Sequence, residues 1–190
     1  MLHLFGNNIA KIEDNPFPKD SALQELYFGK NSLSSFPPWI FLLTKIKLID
    51  LSFNQLTFEN LDKALDEYPI PLNDPIKSGK QLIVLDLSNN NITKLVDYDG
   101  LNRIKQDEEI SPVQPPQAKY TYLWKAYLIN LSGNPLACDC IMSAVAQEIE
   151  KISQKYPLIE PWFKTWRCHW PLELKDKSIN KRRSMGAERD

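Results

Sequence analysis

Large aliphatic and aromatic residues recur along this chain as pairs two residues apart, and each pair ends three residues before an asparagine. The pairs are Leu2 and Leu4, Leu26 and Phe28, Ile49 and Leu51, Leu85 and Leu87, and Ile129 and Leu131. The asparagines are Asn7, Asn31, Asn54, Asn90 and Asn134, followed two residues on by Ile9, Leu33, Leu56, Ile92 and Leu136. Eight residues before the asparagine stand Leu23, Ile46 and Leu82 in the second to fourth units and Ala126 in the fifth. Side chains of an extended chain alternate between two faces, so apolar residues two apart mark the buried face of a short strand. The pattern predicts parallel strands near Leu26–Phe28, Ile49–Leu51, Leu85–Leu87 and Ile129–Leu131, each turning sharply at its asparagine. A buried asparagine carries amide donors and a carbonyl acceptor. It can satisfy the backbone groups left unpaired at the turn in its own unit and the next. The expectation is a ladder in which all five asparagines are buried.

The asparagines recur after 24, 23, 36 and 44 residues, so two regular units precede two that carry insertions at about 59–81 and 96–123. Phe17 and Phe41 stand ten residues past their asparagines, where a returning segment needs bulky core filler. Pro37 and Pro38 favour an extended or polyproline-like return there over a helix. Leu61, Ala64, Leu65 and Tyr68 repeat at helical spacing and predict a short helix from Glu59 to Tyr68, stopped by Pro69 and Pro71. The stretch Gln106–Gln117 is polar and proline-rich, with little apolar matter to bury, and predicts a mobile surface loop. Tyr120, Tyr122, Trp124 and Tyr127 alternate ahead of the fifth strand and predict one aromatic face.

The repeating line resembles the leucine-rich repeat family, whose pattern L-x-x-L-x-L-x-x-N-x-L these units reproduce. That resemblance implies an α/β solenoid, a horseshoe segment of five units over 1–136 with parallel strands on its concave side. Outward positions lie two, four and six residues before each asparagine: Phe5 and His3; Gly29, Tyr27 and Glu25; Ser52, Asp50 and Leu48; Ser88, Asp86 and Val84; Ser132, Asn130 and Leu128. His3, Phe5, Glu25, Tyr27, Leu48 and Asp50 form the candidate binding surface. The Asp-Leu-Ser runs at Asp50 and Asp86 are common filler in the family and point to a structural role.

After the last unit comes Asn134-Pro135-Leu136-Ala137-Cys138-Asp139-Cys140, then a stretch with Ile141, Val145, Ile149 and Ile152 on one helical face, and later Cys168-His169-Trp170-Pro171. This resembles the cysteine-rich C-terminal cap of extracellular leucine-rich repeat proteins such as Toll-like receptors and Slit-type proteins. It implies a helical cap over 137–179, covering the core face that the last repeat would otherwise expose. The family pairs its first cysteine with its third and its second with its fourth, which implies a Cys138–Cys168 disulfide. Cys140 is left unpaired, because the polar tail 180–190 supplies no fourth cysteine. A zinc site from Cys138, Cys140, Cys168 and His169 is the competing use, although C-x-C spacing and adjacent Cys168 and His169 suit it poorly.

Composition narrows the function. With 23 basic and 24 acidic side chains the net charge is −1, which gives no reason to expect nucleic acid or a membrane surface as partner. No run approaches a membrane span and no signal peptide opens the chain. Because no capping unit precedes the first repeat, the chain reads as the C-terminal part of a longer array or as a truncated one. Two scattered histidines, His3 and His169, and the lack of a phosphate loop or metal-ligand motif argue against catalysis and against a cofactor. Asn91-Ile92-Thr93 and Asn130-Leu131-Ser132 are glycosylation sequons, at Asn91 and Asn130. The resemblance implies a non-enzymatic recognition module, the terminal part of a receptor or adhesion ectodomain that binds protein or another extracellular ligand. It leaves open dimerisation of the full-length protein. An intracellular leucine-rich repeat scaffold with reduced cysteines is the alternative.

Overall fold

The computed structural model describes residues 1–12, 16–18, 21–37, 39–40, 43, 45–59, 83–94, 127–139, 146–147, 150, 154, 165–170 and 175–178. Five short strands, β1 (Leu2–His3), β2 (Glu25–Tyr27), β3 (Leu48–Asp50), β4 (Ile83–Asp86) and β5 (Tyr127–Asn130), form one parallel sheet in chain order. Leu2, Leu26, Ile49, Leu85 and Ile129 fall in one register row across it. Leu26, Ile49, Leu85 and Ile129 are buried, as are Phe28, Leu51, Leu87 and Leu131 from the next inward position and Leu33, Leu56, Ile92 and Leu136 beyond the turns. A strand pair of period two cannot bury one face alone, so each unit's core is completed by its neighbours.

The strands end one residue earlier than the apolar pattern suggests, at Tyr27, Asp50, Asp86 and Asn130. The cause is the asparagine. Phe28 N–H still donates to Asp50 O at 2.8 Å, but its own carbonyl accepts from the side-chain amides of Asn31 and Asn54 at 2.9 and 3.0 Å. Leu51 O accepts likewise from Asn54 and Asn90, and Leu87 O from Asn90 and Asn134. The side-chain oxygens complete the exchange: Ile9, Leu33, Leu56 and Ile92 donate their N–H to Asn31, Asn54, Asn90 and Asn134 at 2.9 to 3.0 Å. Each asparagine thus serves its own unit and the preceding one, the reverse of the expected direction.

Burial of the ladder is graded rather than uniform. Asn90 and Asn134 are buried, Asn31 and Asn54 half-buried, and Asn7 exposed with a single side-chain bond, to Leu4 O at 2.9 Å. Asn7 differs because, among the described residues, β1 is the edge of the sheet and no carbonyl or N–H on its outer side meets the Asn7 amide.

The residue just before each asparagine adopts a left-handed conformation: Gly6 (φ 74°), Lys30 (54°), Phe53 (53°), Asn89 (54°) and Gly133 (71°). This conformation makes the sharp turn, and glycine or asparagine suits it best. On the returning side Trp39 and Ile40 are buried in a 3₁₀ turn, with Ile40 N–H donating to Pro37 O at 3.2 Å. The return is therefore not wholly extended, since a proline at the head of a turn gives up no needed N–H. Phe17 is half-buried and meets the Trp39 ring at 5.4 Å.

Past β5, the strands β6 (Leu136–Ala137) and β7 (Cys168–Trp170) pair in parallel, and Trp166 is buried beside them. Ala146, Gln147, Glu150 and Gln154 have helical backbone, and so do Phe58 and Glu59. The remainder of the expected 59–68 helix lies outside the described residues. So do Phe41, the 96–123 insertion, Cys140, the cap's apolar face of Ile141, Val145, Ile149 and Ile152, and the tail 180–190. Among the described residues no helix is long and apolar enough to cross a membrane.

Candidate functional site

Parallel register places the outward side chains in rows. His3, Tyr27, Asp50, Asp86 and Asn130 stand side by side across the five strands, with Glu25, Leu48 and Val84 in the row beside them. Neighbouring strands lie about 4.8 Å apart, so in-row side chains touch. The His3 ring lies 5.2 Å from that of Tyr27 and 6.2 Å from that of Phe5, both tilted. Tyr27 donates its hydroxyl to Glu25 Oε2 at 3.3 Å. His3 and Phe5 are exposed, and Glu25, Tyr27, Leu48 and Asp50 half-buried.

Beneath them Gly29 is buried, and its lack of a side chain is a requirement. A Cβ at this position would lie 2.7 Å from Asp50 Oδ2 and 2.8 Å from the Phe5 ring. The bare backbone of β2's exit is what lets a carboxylate and an aromatic edge converge on one spot. Gly29 was missed by sequence reasoning about side chains, though its place two residues before Asn31 was visible.

Asp50 accepts from Ser52 N–H at 2.9 Å and from its hydroxyl at 2.6 Å, both through Oδ1. Asp86 Oδ1 accepts from Ser88 N–H at 2.9 Å and from the Asn130 side-chain amide at 3.2 Å. Asn130 Oδ1 in turn accepts from Ser132 N–H and hydroxyl at 3.1 and 2.8 Å. These are side-chain turns of the Asp/Asn type, and they give the Asp-Leu-Ser runs a local structural role. They leave the negative charges uncompensated: among the described residues no basic side chain pairs with Glu25, Asp50 or Asp86. The Tyr27 hydroxyl is held above the usual phenol range by burial first, then by the Glu25 charge, its hydrogen bond to Glu25, and the Asp50 charge. The phenol therefore stays protonated as a donor at neutral pH.

At the other end Cys138 and Cys168 are joined in a disulfide, with Cα atoms 5.5 Å apart. Cys138 N–H donates to Trp170 O at 2.7 Å, and His169 is exposed. The bond takes up two of the four side chains that a zinc site would have used, and no group of three or more metal-ligating side chains occurs among the described residues. Of the two sequons, Asn91 is exposed. Asn130 is half-buried with its amide engaged by Asp86.

Leucine rich repeat family models match residues 1–56 and 81–99. The chain is 34% identical over 141 residues to Tsukushi of Gallus gallus, a match covering 72% of this chain and 34% of that protein. It therefore spans about a third of the length of this curated relative. Two solved structures also resemble it. A chain of the mouse RP105/MD-1 complex has a TM-score of 0.48 at 20% identity, covering 84% of this chain and 20% of that one. Human 5T4 (Wnt-activated inhibitory factor 1, trophoblast glycoprotein) has a TM-score of 0.49 at 16% identity, covering 83% and 45%. Parallel strands in one sheet, the asparagine ladder between them and the family matches make this chain a member of the leucine-rich repeat family.

Proposed function

We propose that the chain is a non-enzymatic recognition module from an extracellular leucine-rich repeat receptor or adhesion protein, and that it docks a protein partner on the concave strands β1 to β3. The observation that carries this is the cluster of His3, Phe5 and Tyr27 rings beside the Glu25 and Asp50 carboxylates on the outward side of the sheet. Rigid aromatic side chains ringed by polar groups supply contact area at low entropic cost, as binding hot spots require. Two features support an extracellular setting: the Cys138–Cys168 disulfide, which persists in oxidising compartments, and the likeness to Tsukushi, an extracellular protein of the same family. In the same reading Asn91, exposed beyond its turn, carries a glycan, and Asn130 stays bare because its amide is bound within the sheet.

Purified chain, probed against a panel of secreted and cell-surface ectodomains, should select a partner whose binding is lost in Phe5→Ala and Tyr27→Ala variants of unchanged fold. Binding that ignores both substitutions would remove the concave face from the proposal.

A further inference from the structure

Among the described residues the outward row has an electrostatic imbalance that no basic side chain resolves. Asp50 and Asp86 sit directly opposite each other on adjacent strands, an arrangement of like charges that destabilises a sheet. Glu25 adds a third carboxylate in the next row, against Tyr27. Ser52 donors engage Oδ1 of Asp50 and Ser88 and Asn130 donors engage Oδ1 of Asp86, while Asp50 Oδ2 packs over Gly29 beside the Phe5 ring. Aromatic faces and uncompensated carboxylates thus meet at one place on an open surface.

We infer that His3, Tyr27, Glu25 and Asp50 form a cradle for a guanidinium group, and that the protein partner presents an arginine side chain to the concave face. The inference rests on that face being the docking surface. A guanidinium is planar, so it can lie on the Tyr27 ring while its N–H fork reaches a carboxylate on either side. An ammonium is a strongly hydrated point charge and cannot do both. Asp50 Oδ2 and the Phe5 edge close over the buried Gly29, so the flat group settles outward of them, on the Tyr27 ring. Bound there, the cation offsets the Asp50–Asp86 repulsion, so the site gains most from a ligand that is both flat and positive.

The test is an NMR titration of the full 190-residue chain with N-acetyl-arginine methylamide, the isosteric citrulline compound, the lysine compound and calcium chloride. Saturable shifts centred on the His3 and Tyr27 rings are expected with arginine. Citrulline should bind about tenfold more weakly and lysine intermediate, as loss of charge and loss of planarity dictate. Asp50→Asn and Glu25→Gln should each weaken arginine binding severalfold. The Asp50→Asn turn is safe, because Asn130 makes the equivalent bonds to Ser132 within this same fold. If either variant misfolds, the arginine-to-citrulline ratio on the unaltered chain decides alone. Equal shifts from citrulline, arginine shifts mapping away from this row, or calcium acting where arginine does not would overturn the inference. If arginine is silent while an ectodomain partner is still lost in Tyr27→Ala, the cradle fails and the docking surface stands.

Discussion

The first and fifth units carry the same sequence pattern in opposite surroundings. In the first, Leu2 and Leu4 are half-buried, Asn7 is exposed, and its amide makes one side-chain bond. In the fifth, Ile129, Leu131 and Asn134 are buried. Asn134 donates to Leu87 O and Leu131 O and accepts from Ile92 N–H, and Leu136 passes into a strand pair fastened by Cys138–Cys168. The motif specifies which groups a unit offers; a neighbour decides whether they are used. Stability in such an array lies in the interfaces between units more than in the units.

Breaking the covered end should cost most. Cys168→Ser opens a loop of sequence separation 30 and should lower unfolding free energy by about 3–4 kcal/mol in chemical denaturation, on the loop-entropy argument. Asn134→Ala comes next, at about 2–3 kcal/mol, since it strands the buried Ile92 N–H and takes one of two donors from each of Leu87 O and Leu131 O. Phe53→Asn should act in the opposite direction, raising stability by about 1 kcal/mol, because a bulky side chain is a poor occupant of a left-handed position. A fall in melting temperature for that variant would mean that packing of the Phe53 ring outweighs its backbone cost. Asn7→Ala should change stability by less than about 0.5 kcal/mol, as exposed substitutions do. A loss matching that of Asn134→Ala would erase the contrast between the units.

The pattern of apolar pairs and asparagines carried most of the fold, because both follow a fixed period and each has a single physical use. What it could not carry depends on neighbours. The preceding-unit direction of the ladder and the early strand ends arise from contacts more than twenty residues apart, and the exposure of Asn7 from the lack of such contacts among the described residues. The left-handed turn was half visible: Gly6, Asn89 and Gly133 signal it, whereas Lys30 and Phe53 disguise it. The pair β6 and β7 is too short to show periodicity. On the candidate surface, strand alternation sufficed to nominate His3, Phe5, Glu25, Tyr27, Leu48 and Asp50. Their meeting over Gly29, and the alignment of Asp50 with Asp86, required the register between units separated by insertions.

The most direct test of the ladder sets two adjacent asparagines against each other. Asn90 is buried; its amide donates to Leu51 O, Leu87 O and Ser88 O, and its oxygen accepts from Leu56 N–H. Asn91 is exposed. Chemical denaturation of Asn90→Ala and Asn91→Ala, made in unglycosylated protein, should separate the two by about 2 kcal/mol or more, with Asn90→Ala the less stable. Equal midpoints for the two variants would contradict the account.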